Sequence, residues 1–409
     1  MERRAVWGSY GFQLLFGLLL WLPIFYEYQR VSGLSDSDIF AIQSLYYTAF
    51  CLLEIPTGLL ADRFDYRYTL VAGGAVLVVA NLVPVFRDDY TGFLLHFLLV
   101  ALARSLVSGA SSAYLYEYLH RTGNGQRYQS AEGRARAYSL IGKIAIWPAV
   151  GLLMSWNRSS PYWLTAVFAL GSVLAAVLLP PLPPSATTAG QERPGVLASF
   201  RGALRAMGLR PMLLVVMVQG VAVFTLARLV TVNLFQPVLG QKEVPLLWHG
   251  AVMAAMTVSE ALGAVRPGWF RGAMSNLRAV SVLTGLSAVA CAAVVWSSGW
   301  GTATLLCVFC LLIGTVYPIQ RTLFGEMVPL PRYRATLLSI ESIIDRAVCA
   351  LVALALGATL SGNGLDLFLV ACSVGAVLLM ILVALVARWL GSRAAAEQPV
   401  TREPVRPRG

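Results

Sequence analysis

Charge is scarce in this chain of 409 residues: Asp, Glu, Lys and Arg together make up 12% of it, against roughly 25% in an ordinary soluble domain. Histidine occurs only three times, at His96, His120 and His249, far apart and in no metal-ligating spacing. The phosphate-cradling pattern Gly-x-x-x-x-Gly-Lys-Ser/Thr is missing, so the chain carries no such nucleotide loop of its own. No nucleophile stands beside a base in the short polar segments. These absences argue against an enzyme, a bound metal and a cofactor. The six cysteines (Cys51, Cys291, Cys307, Cys310, Cys349 and Cys372) all fall in apolar runs. Even the Cys307-x-x-Cys310 spacing lacks a second pair of ligands, and these residues read as small buried hydrophobes.

What the chain has instead is apolar length. Hydrophobic residues make up 57% of it and its mean hydropathy is +0.69. A helix needs about 20 apolar residues to cross the hydrocarbon core of a bilayer. Twelve runs meet that need, at 7–28, 38–60, 68–86, 90–115, 134–155, 161–180, 211–235, 245–266, 278–296, 301–325, 334–358 and 365–388. No loop between them is long enough for a folded domain. The expected fold is an all-α integral membrane bundle of twelve helices.

The net charge of +11 is arranged for a membrane rather than for nucleic acid. With Arg3 and Arg4 placed in the cytoplasm, 22 Lys and Arg fall in cytoplasmic segments, 4 in outer loops and 5 within spans. That asymmetry is the positive-inside pattern. It puts both termini on the cytoplasmic side and suits anionic lipid headgroups. Arg outnumbers Lys 29 to 2, a bias of GC-rich coding that points to a bacterial inner membrane.

The proline-rich stretch Pro180-Pro181-Leu-Pro183-Pro184 cannot continue a helix. It divides an N-terminal half, 1–180, from a linker, 181–210, and a C-terminal half, 211–390, before a disordered tail, 391–409. The segment 196–209 has apolar residues at helical spacing among arginines and reads as lying on the inner membrane face. Span five opens Arg134-Ala-Arg-Ala-Tyr-Ser139 and span eleven Arg334-Ala-Thr-Leu-Leu-Ser339, an offset of 200 residues. Glu54 and Glu260, each near the inner end of a span, are 206 apart. Such offsets are expected of two related six-helix halves.

Between the second and third runs lies Gly58-Leu-Leu-Ala-Asp62-Arg63-Phe-Asp65-Tyr66-Arg67. This resembles the loop Gly-x-x-x-Asp-Arg-x-Gly-Arg-Lys/Arg of the major facilitator superfamily of transporters, matched at Gly58, Asp62, Arg63 and Arg67. Asp65 and Tyr66 replace its glycine and basic residue. The resemblance implies two six-helix halves rocking about a central site, with this loop as a gate whose glycine lets helices approach closely. Arg104, followed by Ser108 and Gly109, is similar to the superfamily's fourth-helix motif, which in proton-driven members implies a role in coupling. Pro148 and Gly151 fit the end of the fifth-helix pattern of drug:proton antiporters, where Trp147 stands in place of a glycine. Pro148 removes a backbone hydrogen bond and kinks the helix, and Gly151 permits close packing.

An ionic side chain in a span costs about 2.5–3.5 kcal/mol on insertion scales, so each marks a partner or a wet cavity. Glu341 and Asp345 are four apart and share one face of span eleven. Two carboxylates that close repel when both are ionised, which makes the pair a candidate proton carrier with Arg104, Glu54 and Glu260. On the resemblance, spans one, four, seven and ten line the substrate path. Arg104 and Arg228 then face it; Glu27, Gln13, Gln43 and Gln219 are candidate polar lining, Phe16, Tyr46, Tyr47 and Tyr317 candidate aromatic lining near the cavity helices, and Lys143 a cation that neutralises an acid across the seam. Tyr114, Tyr116 and Tyr118 read as an interfacial belt. The expectation is a monomeric, proton-coupled exporter of a small organic molecule. An importer of a nutrient or metal chelate is the alternative, and a non-transporting receptor a further one.

Overall fold

The computed structural model describes residues 2–183, 210–265, 274–328, 334–360 and 364–396, with a few positions between 201 and 208. Every predicted span overlaps helical residues. The helices are α1 (Glu2–Gly17), α2 (Phe25–Val31), α3 (Asp36–Arg63), α4 (Tyr66–Phe86), α5 (Tyr90–Arg121), α6 (Tyr128–Ile146), α7 (Val150–Trp156) and α8 (Ser160–Val177), followed by α9 (Pro211–Arg228), α10 (Phe235–Gln241), α11 (His249–Val265), α12 (Asn276–Ala293), α13 (Trp300–Met327), α14 (Arg334–Thr359) and α15 (Gly364–Ala396). Among the described residues, nine helical segments are long and apolar enough to cross a membrane. The first span is interrupted between α1 and α2, the fifth between α6 and α7, and the seventh by a π-helical turn, Leu229–Leu234.

Local chemistry sets these boundaries. Ser35 and Asp38 form a reciprocal cap on α3: the Ser35 amide donates to Asp38 Oδ2 at 3.1 Å and the Asp38 amide to Ser35 Oγ at 3.2 Å. Asp65, where the transporter loop has glycine, accepts from the Arg67 amide at 3.0 Å and caps α4. Asp89 caps α5 through the Gly92 amide at 2.7 Å. That bond, with the Arg87 side chain, holds its carboxyl below the usual carboxylate range. Prolines open α8 and α9 at their first turns, where no amide is needed. The last helix runs to Ala396, past the predicted 388 and into the segment read as tail, because the sequence there is rich in alanine, the strongest helix former. The linker residues 184–200 and the tail 397–409 lie outside the described residues, as does most of 196–209.

The packing repeats itself. In the first half α1 contacts α6 and α8, α3 contacts α5, and α4 contacts α5 and α8. In the second half α9 contacts α14 and α15, α11 contacts α13, and α12 contacts α13 and α15. Numbered by span, the second set is the first plus six. The halves meet along two seams, α3 against α14 and α6 against α11, which the same exchange maps onto each other. The repeat legible in the offsets of 200 and 206 residues is therefore a repeat of contacts.

Tyr114 and Tyr118 correct the reading of an interfacial belt. Both are buried, at 0% and 2% exposure, and the Tyr114 hydroxyl donates to the Pro180 carbonyl at 2.8 Å. Only Tyr116 of the three is exposed. Tyr114 and Tyr118, four apart, share one helix face and pack together with ring centres 5.9 Å apart, while Tyr116, two residues from each, lies on another face.

Candidate functional site

The two halves are tied together at one end of the bundle. There the Tyr26 amide donates to Gln236 Oε1 at 3.0 Å, and Gln236 Nε2 donates to the Leu22 carbonyl at 3.1 Å. Ser37 Oγ donates to the Gly357 carbonyl at 3.0 Å and the Tyr47 hydroxyl to Asn233 Oδ1 at 3.4 Å. On the other seam the Trp147 carbonyl lies so near Gly250 that any Cβ there would overlap it, and Gly151 is pressed against the backbone of Leu247. Pro148 produces this contact by breaking α6 into a single 3-10 turn, Trp147–Ala149, before α7 begins. The Trp147 indole N–H donates to the Leu19 carbonyl at 3.1 Å, so the residue that departs from the antiporter pattern is part of the seal.

Beyond this seal the interior divides into two lobes. The first, of about 480 Å³, is bounded by α1, α3, α5, α6 and α14, with Phe12, Gln13, Phe16, Phe50, Arg104 and Lys143 in its wall. It extends toward Ser112, Glu132 and the exposed Arg136. The second, of about 360 Å³, lies among α9, the π turn, α11, α13 and α14, and is lined by Arg228, Glu260, Tyr317, Arg321, Glu341 and Asp345. Arg346 lines both.

The second lobe is a network of ion pairs. Arg228 Nη2 lies 2.7 Å from Asp345 Oδ2, and Thr225 Oγ1 donates to Asp345 Oδ1 at 3.1 Å. Arg321 Nη1 lies 2.5 Å from Glu341 Oε2. The carboxylates are 4% and 2% exposed while their arginines are 27% and 33% exposed to the cavity. A buried carboxylate of this kind needs its cation, since a lone charge in low dielectric is strongly disfavoured. Arg321 is also stacked over Phe224, its guanidinium carbon 4.4 Å from the ring centre. Glu341 Oε1 is buried without a partner among the described residues, and it projects into the space that the missing side chain of Gly220 leaves open.

The first lobe holds cations that lack such partners. Among the described residues Arg104 bonds only to the Tyr46 hydroxyl, at 3.3 Å. Arg346 Nε is 4.0 Å from Asp345 and makes no hydrogen bond, while its guanidinium covers Phe50 at 3.9 Å. Lys143 faces Glu260 across the α6–α11 seam, each acting electrostatically on the other, but not within 4.0 Å. Glu54 likewise feels Arg346 across the α3–α14 seam. The two seams thus carry equivalent acid–cation pairs, and among the described residues no ion pair within 4.0 Å joins the halves.

The structure brings Gln13, Phe16, Arg104, Arg228, Glu260, Tyr317, Glu341 and Asp345 to the cavity walls, with Tyr46 behind Arg104. Other candidates lie elsewhere. Tyr47 is buried in the seal. Gln219 donates to the Leu277 carbonyl at 3.1 Å and to Ser281 Oγ at 2.8 Å, an interhelical tie. Gln43 is buried at 1% exposure, and Glu27 lines a smaller cavity at the sealed end beside Gly240. Their position in a span does not fix their direction, which depends on helix rotation. Gly58 makes no close contact among the described residues: a Cβ there would meet none of them within 4 Å. Arg67 donates to the Val177 carbonyl at 3.3 Å. The side chains of Asp62 and Arg63 lie outside the described residues. Sequence reasoning counted Arg321 and Arg346 as charges within spans but gave them no role. Their signal is a cation in an apolar run, and the partner of Arg321 lies twenty positions away on another helix.

Comparison with known proteins agrees with this architecture. The profile of the Major Facilitator Superfamily matches residues 5–344. The Escherichia coli (strain K12) inner membrane transport protein YajR is 30% identical over 98 residues, which are 23% of this chain and 21% of that protein. A variant of the nucleoside transporter NupG superposes with a TM-score of 0.75 at 17% identity, over 94% of this chain and 98% of that one. A bacterial homologue of the human lysosomal transporter Spinster, in an inward-facing conformation, gives 0.66 at 14% identity, over 94% of each chain. These last two likenesses concern the fold alone. From the matched profile and the twofold-repeated helix packing, the chain belongs to the Major Facilitator Superfamily.

Proposed function

We propose that the chain is a proton-coupled secondary transporter that exports a small organic molecule across a bacterial inner membrane as a monomer. In this reading both termini and the open end of the bundle face the cytoplasm, so the described conformation is the one that loads substrate from inside. The observation that carries it is the placement of Asp345 and Glu341. Both lie on α14, a seam helix, and each is held by an arginine from a different helix of the same half, Arg228 on α9 and Arg321 on α13. A proton arriving at Asp345 neutralises the carboxylate and releases Arg228 and Arg346 from it. The ties between α14 and its neighbours then change with protonation, which is how a proton gradient can bias a rocking motion. Glu260 and Glu54, opposite Lys143 and Arg346, are the expected contacts of the seams in the alternate state. The pieces Pro148 and Gly151 of the antiporter pattern favour export.

The test is transport in proteoliposomes of known orientation, with an imposed pH gradient and a substrate found by thermal-shift screening. Wild type is expected to move substrate against protons. Asp345→Asn keeps the shape and removes the titrating group, so it should lose gradient-driven accumulation while keeping substrate exchange. Flux that is indifferent to the gradient in the wild type would overturn the coupling. Trp147, in place of the antiporter glycine, favours a second reading of uptake, for which substrate moves in the direction of the protons.

A further inference from the structure

The lobes differ in how their charges are compensated. In the C-terminal lobe Asp345 and Glu341 each hold an arginine within 2.7 Å. In the N-terminal lobe the acid Glu132 is taken by Arg136, at 3.5 Å, and by Ser112 Oγ, at 2.8 Å. Arg104 and Lys143 have no carboxylate within 4.0 Å among the described residues, and Arg346 touches Asp345 only at that limit. These three cations line one cavity and stand near enough that Arg104 acts electrostatically on both of the others. Arg346 Nε is buried with no hydrogen bond. Like charges gathered in a partly dry site, with the acids that face them no nearer than 4.0 Å among the described residues, repel one another, and an anion that enters relieves this. A structural role for Arg104 would place bonds on helix carbonyls, yet its one partner among the described residues is a hydroxyl.

We propose that the N-terminal lobe binds an aromatic carboxylate, its carboxylate between Arg104, Lys143 and Arg346 and its ring against Phe16 and Leu140. The proposal deepens the transport reading above and rests on it for its role as substrate. A volume of about 480 Å³ falls in the range of small-molecule sites, about 300–1,000 Å³, and admits one to three fused rings. Arginine forks match a planar carboxylate in two-point contact. Phe16, with the buried Phe12 stacked behind it, and the exposed Leu140 supply the apolar surface that a ring needs.

The experiment measures equilibrium binding by the purified protein in detergent. Benzoate, 1-naphthoate and anthracene-9-carboxylate are each compared with their primary amides and with the matching arylmethylamines. At least one acid is expected to bind about tenfold or more tightly than its amide, since the amide forfeits charge-assisted bonds. Arg104→Gln and Arg346→Gln, shown to be folded by size exclusion, should each abolish that preference, while Arg104→Lys retains part of it. Equal binding of acid and amide, preference for an amine, or no binding by any acid overturns the proposal. Gradient-driven flux is measured separately in proteoliposomes. Acids that bind but are not driven by a pH gradient would leave this site standing and remove the coupling; gradient-driven flux of neutral or cationic compounds with acids ignored would do the reverse.

Discussion

Asp345 touches Arg228, Arg346, Thr225 and Cys349 at once, and Glu341 reaches Arg321 while leaving one oxygen over Gly220. The second contact gives a residue-scale test. An alanine at 220 places its Cβ against Glu341 Oε1 and within 2.8 Å of Gln320 Nε2, and overpacking of this kind costs about 1–3 kcal/mol. Gly220→Ala is expected to lower the Tm in detergent, and Glu341→Ala in the same molecule to recover part of the loss. Strict additivity of the two changes would show that the contact is not made. The carboxylates themselves are legible in sequence, because two acids four apart inside an apolar run have few structural uses. Their partners are not, since pairing across helices leaves no local spacing. Tyr47 and Gln219 illustrate the limit. A helix apolar on every side carries no amphipathic stripe to show which face is inward, so a polar residue in a cavity helix can equally serve a seal or an interhelical bond.

At the scale of elements, length and charge asymmetry reveal the helices, while the breaks within them come from punctuation. Pro148 and the pressed Gly151 are readable as a kink and a close contact, and both are found at the α6–α11 seam. The π turn Leu229–Leu234 after Arg228 has no such marker. Gly58 is the instructive exception: the resemblance implies close approach, yet among the described residues nothing lies within 4 Å of a Cβ there. In the proposed rocking motion that approach occurs in the other state. Gly58→Leu is therefore expected to leave stability within about 0.5 kcal/mol of wild type, as at an exposed position, while abolishing transport. A marked drop in Tm with flux intact would show that the glycine serves this conformation instead.

For the whole molecule, the twofold repetition of contacts creates two seams, each with an acid facing a cation, Glu54 with Arg346 and Glu260 with Lys143. The halves are bonded at the end that holds Gln236, Ser37 and Tyr47, and the lobes lie beyond. In the proposed cycle substrate passes only when that sealed end opens. Ser37 and Gly357 face each other across it, the Cβ position of residue 357 lying 3.4 Å from the Ser37 Cα, close enough for a cross-link. The direct measurement is flux through a protein in which the native cysteines are replaced and Ser37→Cys and Gly357→Cys are joined as a disulfide. Flux should stop on oxidation and return on reduction, with Ser108 in the first lobe, tested as a cysteine, still open to aqueous reagent. Undiminished flux through the cross-linked protein would contradict alternating access at this seam.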